Sequence, residues 1–204
     1  MSARPRTTTR KKPTQARSQQ TVDALLGATA RVLKKDGYDR MSTNKVALAA
    51  GVSIGSLYQY FPSKEALVAT LMERHVDEMD ALFAQEAVRV ADMPLAQAVR
   101  AIVLRTIEAH QIDPVLHRVF EQVPRIGRLQ KFDEVQERAR VLVFLYLSAS
   151  KEKLRPKSLE VAADLVASTI EMVSHGAVLR HPERLRDGVL VDETVDLILR
   201  YLKA

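Results

Sequence analysis

The 204-residue chain contains no cysteine. That excludes a disulfide framework and a thiolate metal site, and it fits a reducing compartment, with the cytoplasm the expected location. No apolar run approaches the roughly 20 residues that span a bilayer, so no membrane role is expected. The N-terminus is basic, but no apolar stretch of the kind a signal peptide needs follows it. Short catalytic signatures are also missing: there is no G-x-S-x-G, no H-E-x-x-H and no phosphate-binding glycine loop. No useful length alternates apolar and polar residues as a half-buried strand does, and no internal repeat appears. With 47% hydrophobic residues the chain can still build a core. An all-α fold, no catalytic constellation, no cofactor and no metal are the expectations.

What charge there is sits unevenly. The net charge is +6, and residues 1–20 carry Arg4, Arg6, Arg10, Lys11, Lys12 and Arg17 with no acid. The rest of the chain therefore balances to zero. Residues 1–14, with Pro5, Pro13 and a threonine run, show no apolar periodicity and are expected to be a disordered arm in isolation. A basic arm of this kind is suited to phosphate or minor-groove contact, the alternative being a plain solubilising tail.

Residues 42–67, STNKVALAAGVSIGSLYQYFPSKEAL, organise everything else. Thr43 can cap a short helix whose Val46, Ala47 and Ala50 make one small apolar face. Gly51 supplies the positive φ that ends it and turns the chain. Ser53 caps a second helix with Leu57, Tyr60 and Phe61 at inward spacing, Pro62 stops it, and Ser63-Lys64-Glu65 opens a third. Two short helices joined by a glycine turn form a helix-turn-helix, whose second helix enters the DNA major groove.

The match of Thr43, Val46-Ala47, Ala50-Gly51-Val52-Ser53, Gly55, Leu57-Tyr58, Tyr60-Phe61 and Ser63-Lys64-Glu65-Ala66-Leu67 is more specific still. Over roughly residues 17–67 the chain resembles the DNA-binding signature of the tetracycline-repressor (TetR) family. Val46 stands where the family more often has isoleucine, and Ile54 and Gln59 stand where it varies. The resemblance implies a DNA-binding three-helix head on a larger helical body that binds an effector and dimerises through a four-helix interface near the C-terminus. The expected divisions are 1–14 arm, 15–67 helix-turn-helix domain and 68–204 effector-binding and dimerisation domain.

Helical periodicity supports the remainder. The first helix is expected over 15–35, with Val22, Leu25, Leu26, Thr29, Val32 and Leu33 on one face and a turn at Gly37. A long helix runs from Ser63 to about Val90, linking head to body, until Ala91-Asp92-Met93-Pro94 breaks it. Further helices are expected over 95–111, from about Pro114, and over 128–150, with Val123-Pro124-Arg125-Ile126-Gly127 a loop and 151–157 a connector. The last two helices, 158–180 and 192–203, are apolar on two faces: Leu159, Ala163, Val166, Ile170 and Val173 against Val161, Leu165, Met172 and Leu179 in the first. Such helices must be buried on two sides, one of them against a second copy. Ile170→Asp or Ile198→Asp is expected to break that homodimer.

The candidate DNA contacts are Thr43, Lys45, Ser53, Ile54, Gly55, Ser56, Tyr58, Gln59, Tyr60 and Lys64. Gln59 can bond adenine through two contacts. Ser53, Ser56 and the tyrosine hydroxyls suit phosphates or base edges, Gly55 lets the backbone come close, and Lys64 joins its charge to free N–H groups at a helix start. Candidate ligand-binding residues are Met79, Phe83, His110, Phe120, Phe144, Tyr146, Glu171, Met172 and His175. Glu171 and His175 lie at i, i+4, where a surface or core-lining pair is a commoner outcome than a metal site.

The function expected is sequence-specific binding to a double-stranded, palindromic operator by a homodimeric repressor. A small apolar or amphipathic effector would release it by altering the spacing of two heads that must match half-sites about 34–36 Å apart or multiples of it. The competing reading is a helical ligand-binding or enzymatic protein whose N-terminal unit is only structural. The basic arm and the polar 53–64 surface argue against that, since a structural helix pair needs neither.

Overall fold

A computed structural model describes residues 16–121 and 130–203. The basic arm and the 123–127 loop expected above lie outside the described residues. The helices are α1 (Ala16–Arg40), α2 (Thr43–Ala50), α3 (Ile54–Tyr60), α4 (Lys64–Val90), α5 (Leu95–His110), α6 (Pro114–Glu121), α7 (Gln130–Ala149), α8 (Leu159–Arg180) and α9 (Val189–Leu202). A short 3-10 turn, Pro182–Leu185, lies between the last two. The described residues hold no strand; a lone antiparallel bridge joins Leu154 to Lys203.

The chain divides into two compact units: residues up to 75 together with 115–129, and residues 76–114 with 130–204. The division falls within α4, between His75 and Val76.

In the first unit α1 packs on α2 and α2 on α3. The stripe expected on α1 is buried, with Leu25 and Leu33 fully inaccessible and Thr29 returning its hydroxyl to the Leu25 carbonyl at 2.8 Å. Val46, Leu57, Phe61, Leu67 and Val68 close the same core at 0% exposure. Helix α1 continues to Arg40 rather than stopping near Lys35, but Gly37 interrupts it at φ 74°, a value that penalises any side chain with a Cβ. The cap of α2 is Ser42, not Thr43. Ser42 is extended (φ −139°) and accepts from the Lys45 N–H, so Thr43 is already helical and its hydroxyl bonds that of Tyr58 at 3.0 Å. Gly51 ends α2 at φ 68°, Ser53 caps α3 by accepting from the Ser56 N–H, and Ser63 accepts from the Ala66 N–H at 3.2 Å.

In the second unit α5 packs on both α8 and α9, and α7 packs on α8. The core joins Leu95, Val99, Val103 and Ile107 of α5 to Ala163, Val166 and Ile170 of α8 and to Val195, Ile198 and Leu202 of α9. Helix α9 begins at Val189, one turn earlier than the sequence pattern indicates, because Gly188 at φ 75° sets the turn before it.

Candidate functional site

Helix α3 is seven residues long, and its faces divide cleanly. Leu57 is fully buried and Tyr60 and Ser56 are half-buried, while Ile54, Gly55, Tyr58 and Gln59 are exposed. The caps that hold it use groups within the segment: the Ser53 hydroxyl takes the Ser56 N–H at 3.1 Å and lies 2.8 Å from the Ser56 hydroxyl. One residue anchors the helix to the core, and the side chains able to recognise base edges face outward.

The two lysines expected to hold phosphates are already engaged within the unit. Lys45 Nζ lies 2.6 Å from Asp36 and donates to the Arg40 carbonyl. The hydrogen bond from Lys45, working against partial burial, holds the Asp36 carboxyl below its ordinary range. Lys64 Nζ sits 4.2 Å above the Tyr38 ring and donates to the Tyr38 carbonyl at 3.3 Å. Tyr38 in turn donates to Glu65 at 3.1 Å. Each ammonium is thereby held in one place beside α2 or at the start of α4, and a phosphate there meets a cation with little freedom left to lose. Nothing in the sequence pattern singles out Leu48, whose side chain is 84% exposed on α2.

The second unit contains a cavity of about 860 Å³. Its wall includes Met79, Phe83, Tyr146, Glu171, Met172 and His175, six of the nine residues expected to contact a ligand. The other three lie elsewhere. His110 is fully buried, one layer behind Glu171; Phe144 packs against the apolar core; Phe120 belongs to the first unit, where its ring lies 5.9 Å from that of His75. Spacing along one helix cannot separate these cases, since wall, second layer and core carry the same apolar signal.

Two polar clusters interrupt the apolar wall. In the first, Glu86 of α4 is almost fully buried and accepts from Arg89 and from Arg105 of α5, whose other end donates to Glu108 at 3.0 Å. The bonds from Arg89, opposed by burial, keep the Glu86 carboxyl below its usual range. Motif and spacing do not point to this cluster, though a trace of it is there: Glu86 falls in the register of Met79, Phe83 and Val90, a charge inside an apolar stripe.

The second cluster is His110, Glu171 and His175. His110 Nδ1 is 2.8 Å from the Thr106 carbonyl oxygen and Nε2 is 3.1 Å from Glu171 Oε1. Both ring nitrogens face oxygen acceptors, so the arrangement favours an imidazolium against a carboxylate. Burial pushes the His110 value down, but the Glu171 hydrogen bond and charge more than offset it, leaving it above the ordinary histidine value. For Glu171, burial acts upward and is outweighed by His110 and His175, leaving its carboxyl below the ordinary range. The His175 ring meets His110 edge-on, 5.4 Å between centroids. Tyr146 spends its hydroxyl on the Met93 carbonyl at 2.8 Å, and Thr106 spends its own on Ile102.

The comparisons with known proteins bear on both units. The family described as bacterial regulatory proteins, tetR family, matches residues 25–71, and the tetracyclin repressor-like C-terminal domain matches 94–202. The nucleoid occlusion factor SlmA of Actinobacillus pleuropneumoniae is 32% identical over 134 residues, 66% of this chain and 61% of its own length. The chain thus spans about three fifths of that relative. The HTH-type transcriptional repressor KstR of Rhodococcus jostii is 26% identical over 86% of this chain and 81% of its own. A solved TetR-family regulator from Mesorhizobium loti superposes with a TM-score of 0.75 at 18% identity, covering 93% of this chain and all of that one. At that identity the likeness speaks for the fold. No described helix is long and apolar enough to cross a membrane.

Proposed function

The chain belongs to the TetR family of DNA-binding transcriptional regulators, which act as dimers, and from that premise we propose that it is a repressor released from a palindromic operator by a small apolar or amphipathic effector held in the second unit. The observation that carries the reading is the 860 Å³ cavity, whose wall is apolar for most of its area with charged and polar side chains set among the apolar ones. DNA recognition falls to the exposed face of α3, with Gln59 and Ile54 toward base edges and Ser53, Ser56, Tyr58, Tyr60, Thr43, Lys45 and Lys64 toward phosphates and sugars.

The homodimer reading rests on α8 and α9. Of the two apolar faces on α8, Ala163, Val166 and Ile170 are buried in the unit's own core, while Val161, Leu165 and Met172 are 54%, 50% and 73% exposed. On α9, Leu197 is 59% exposed and Ile198 only 2%. Ile170→Asp and Ile198→Asp would therefore unfold the core rather than separate one copy from another. Leu165→Asp and Leu197→Asp are the informative changes, since they put a charge where a second copy would sit and lie outside the buried core.

The test is titration of labelled promoter DNA from beside the protein's own gene, across a salt series, with and without compounds that raise the thermal midpoint. A repressor of this kind binds with a steep salt dependence and loses affinity as the compound is added. If stabilising compounds leave operator affinity unchanged, the switch is refuted. The similarity to SlmA favours a second reading, in which DNA binding serves nucleoid occlusion. Occupancy of many sites across the chromosome, rather than a few promoters, would select it.

A further inference from the structure

Resting on the effector reading above, we propose that the cavity is built for a ligand with an apolar body and a single hydrogen-bond-donating head, an alcohol or amine rather than a carboxylate, and that Glu171 receives that head. Glu171 extends from α8 into the cavity wall with its side chain about one third exposed. One of its oxygens, Oε1, is committed to His110. The other takes no hydrogen bond from any described residue, so an acceptor with its lone pairs unused faces the space a ligand would fill.

The imidazole behind it fixes the polarity of this site. His110 is fully buried, its Nδ1–H is taken by the Thr106 carbonyl and its Nε2 faces Glu171, so it holds the carboxylate in place without offering a donor to the cavity. Tyr146 and Thr106 have spent their hydroxyls on backbone carbonyls. Arg105 of the wall is shared between Glu86 and Glu108, Arg140 between Glu137 and Asp164, and Arg180 and His175 also have partners of their own. An anionic head entering here would meet a carboxylate oxygen that takes no hydrogen bond, and would have to give up its own hydration without a donor in return. A hydroxyl or ammonium would satisfy that oxygen with a charge-assisted bond.

The experiment uses the full chain with N-phenyl-1-naphthylamine, a neutral probe whose emission rises in apolar surroundings. It is displaced in parallel by decylamine, 1-decanol and decanoate, all kept below their aggregation limits. The expected order places decylamine and decanol ahead of decanoate by about tenfold or more, the effect of one hydrogen bond to a charged group. Glu171→Gln, with each displacement referred to the variant's own affinity for the probe, should bring the three competitors within about threefold of each other. Its circular dichroism and thermal midpoint verify that it folds; should it not, Glu171→Leu is read in the same way. Probe uptake with decanoate competing as well as the amine, or a preference untouched in the Glu171 variants, overturns the donor-head inference and leaves the cavity reading standing. Absence of any probe uptake or displacement by the wild-type chain overturns both.

Discussion

The helix-turn-helix of the first unit and the helices of the second treat their polar groups differently, although both units bury histidine, His75 beside His117 in the first at 3.3 Å. In the first, almost every polar side chain in the helix-turn-helix returns to nearby backbone or to a neighbour on the surface: Ser42, Ser53 and Ser63 to the helix starts that follow them, Lys45 to Asp36, Lys64 to Tyr38. Its core of Leu25, Leu57, Phe61 and Leu67 is closed and apolar. The second unit does the reverse. It takes Glu86 and His110 out of water, gives each a partner on another helix, Arg105 and Glu171, and carries a cavity of about 860 Å³. A frame that must present one rigid helix gains from the first arrangement. A container for a ligand needs the second, because polar anchors are selective only where water is scarce.

The contrast is sharpest for large side chains. Phe61→Ala should destabilise the chain by about 3–5 kcal/mol, the range for emptying a tightly packed aromatic site. Phe83→Ala, which only widens an existing cavity, should cost about 1 kcal/mol or less. Urea denaturation of both compares them directly, and equal losses would mean that the cavity is not a void in solution.

Recognition should split in the same way within the first unit. Gln59→Ala is expected to lower operator affinity by roughly 1–3 kcal/mol at a single base position per half-site. Lys64→Ala should weaken operator and random DNA alike and reduce the salt slope by about one unit for each phosphate it no longer neutralises. Binding titrations on base-substituted operators distinguish the two; identical profiles would remove α3 from base recognition.

Glycines give a smaller effect of opposite sign in the two units. At Gly51, φ is +68°, so Gly51→Ala should cost about 1–2 kcal/mol although nothing lies within 4 Å of the added methyl. Gly176 is inside α8 with ordinary helical backbone and equally open space, so Gly176→Ala should stabilise by about 0.5–1 kcal/mol. Thermal midpoints moving in the same direction would contradict this.

The mildest difference concerns pH. His110 titrates above its unfolded value, so its stabilising contribution is complete below about pH 6.5 and is lost as pH rises through the raised folded value. Glu171 titrates below its unfolded value, so its contribution is present above about pH 4.3 and fades as pH falls through the lowered one. Stability from this pair is therefore greatest between those limits. His110→Gln should flatten the decline on the alkaline side, as measured by denaturation midpoints at pH 6 and above; a decline of unchanged steepness assigns it to other groups.

Much of the first unit is determined by the sequence alone, for a physical reason. Caps, glycine turns and the inward positions of α1 and α3 depend on residues a few places apart, and local geometry leaves each one conformation. Even so, Ser42 rather than Thr43 caps α2, because either hydroxyl fits the pattern and only the backbone dihedral chooses. In the second unit periodicity identifies the helices and their two-faced character, but not which face turns inward. Ile170 and Leu165 carry the same signal, and only packing against α5 and α9 buries the one and exposes the other. The pairing of His110 with Glu171, 61 residues away, and the meeting of Glu86 with Arg105 exist only once helices distant in sequence lie side by side. Those contacts, and the cavity, are set by tertiary packing, since no local spacing encodes which helices become neighbours.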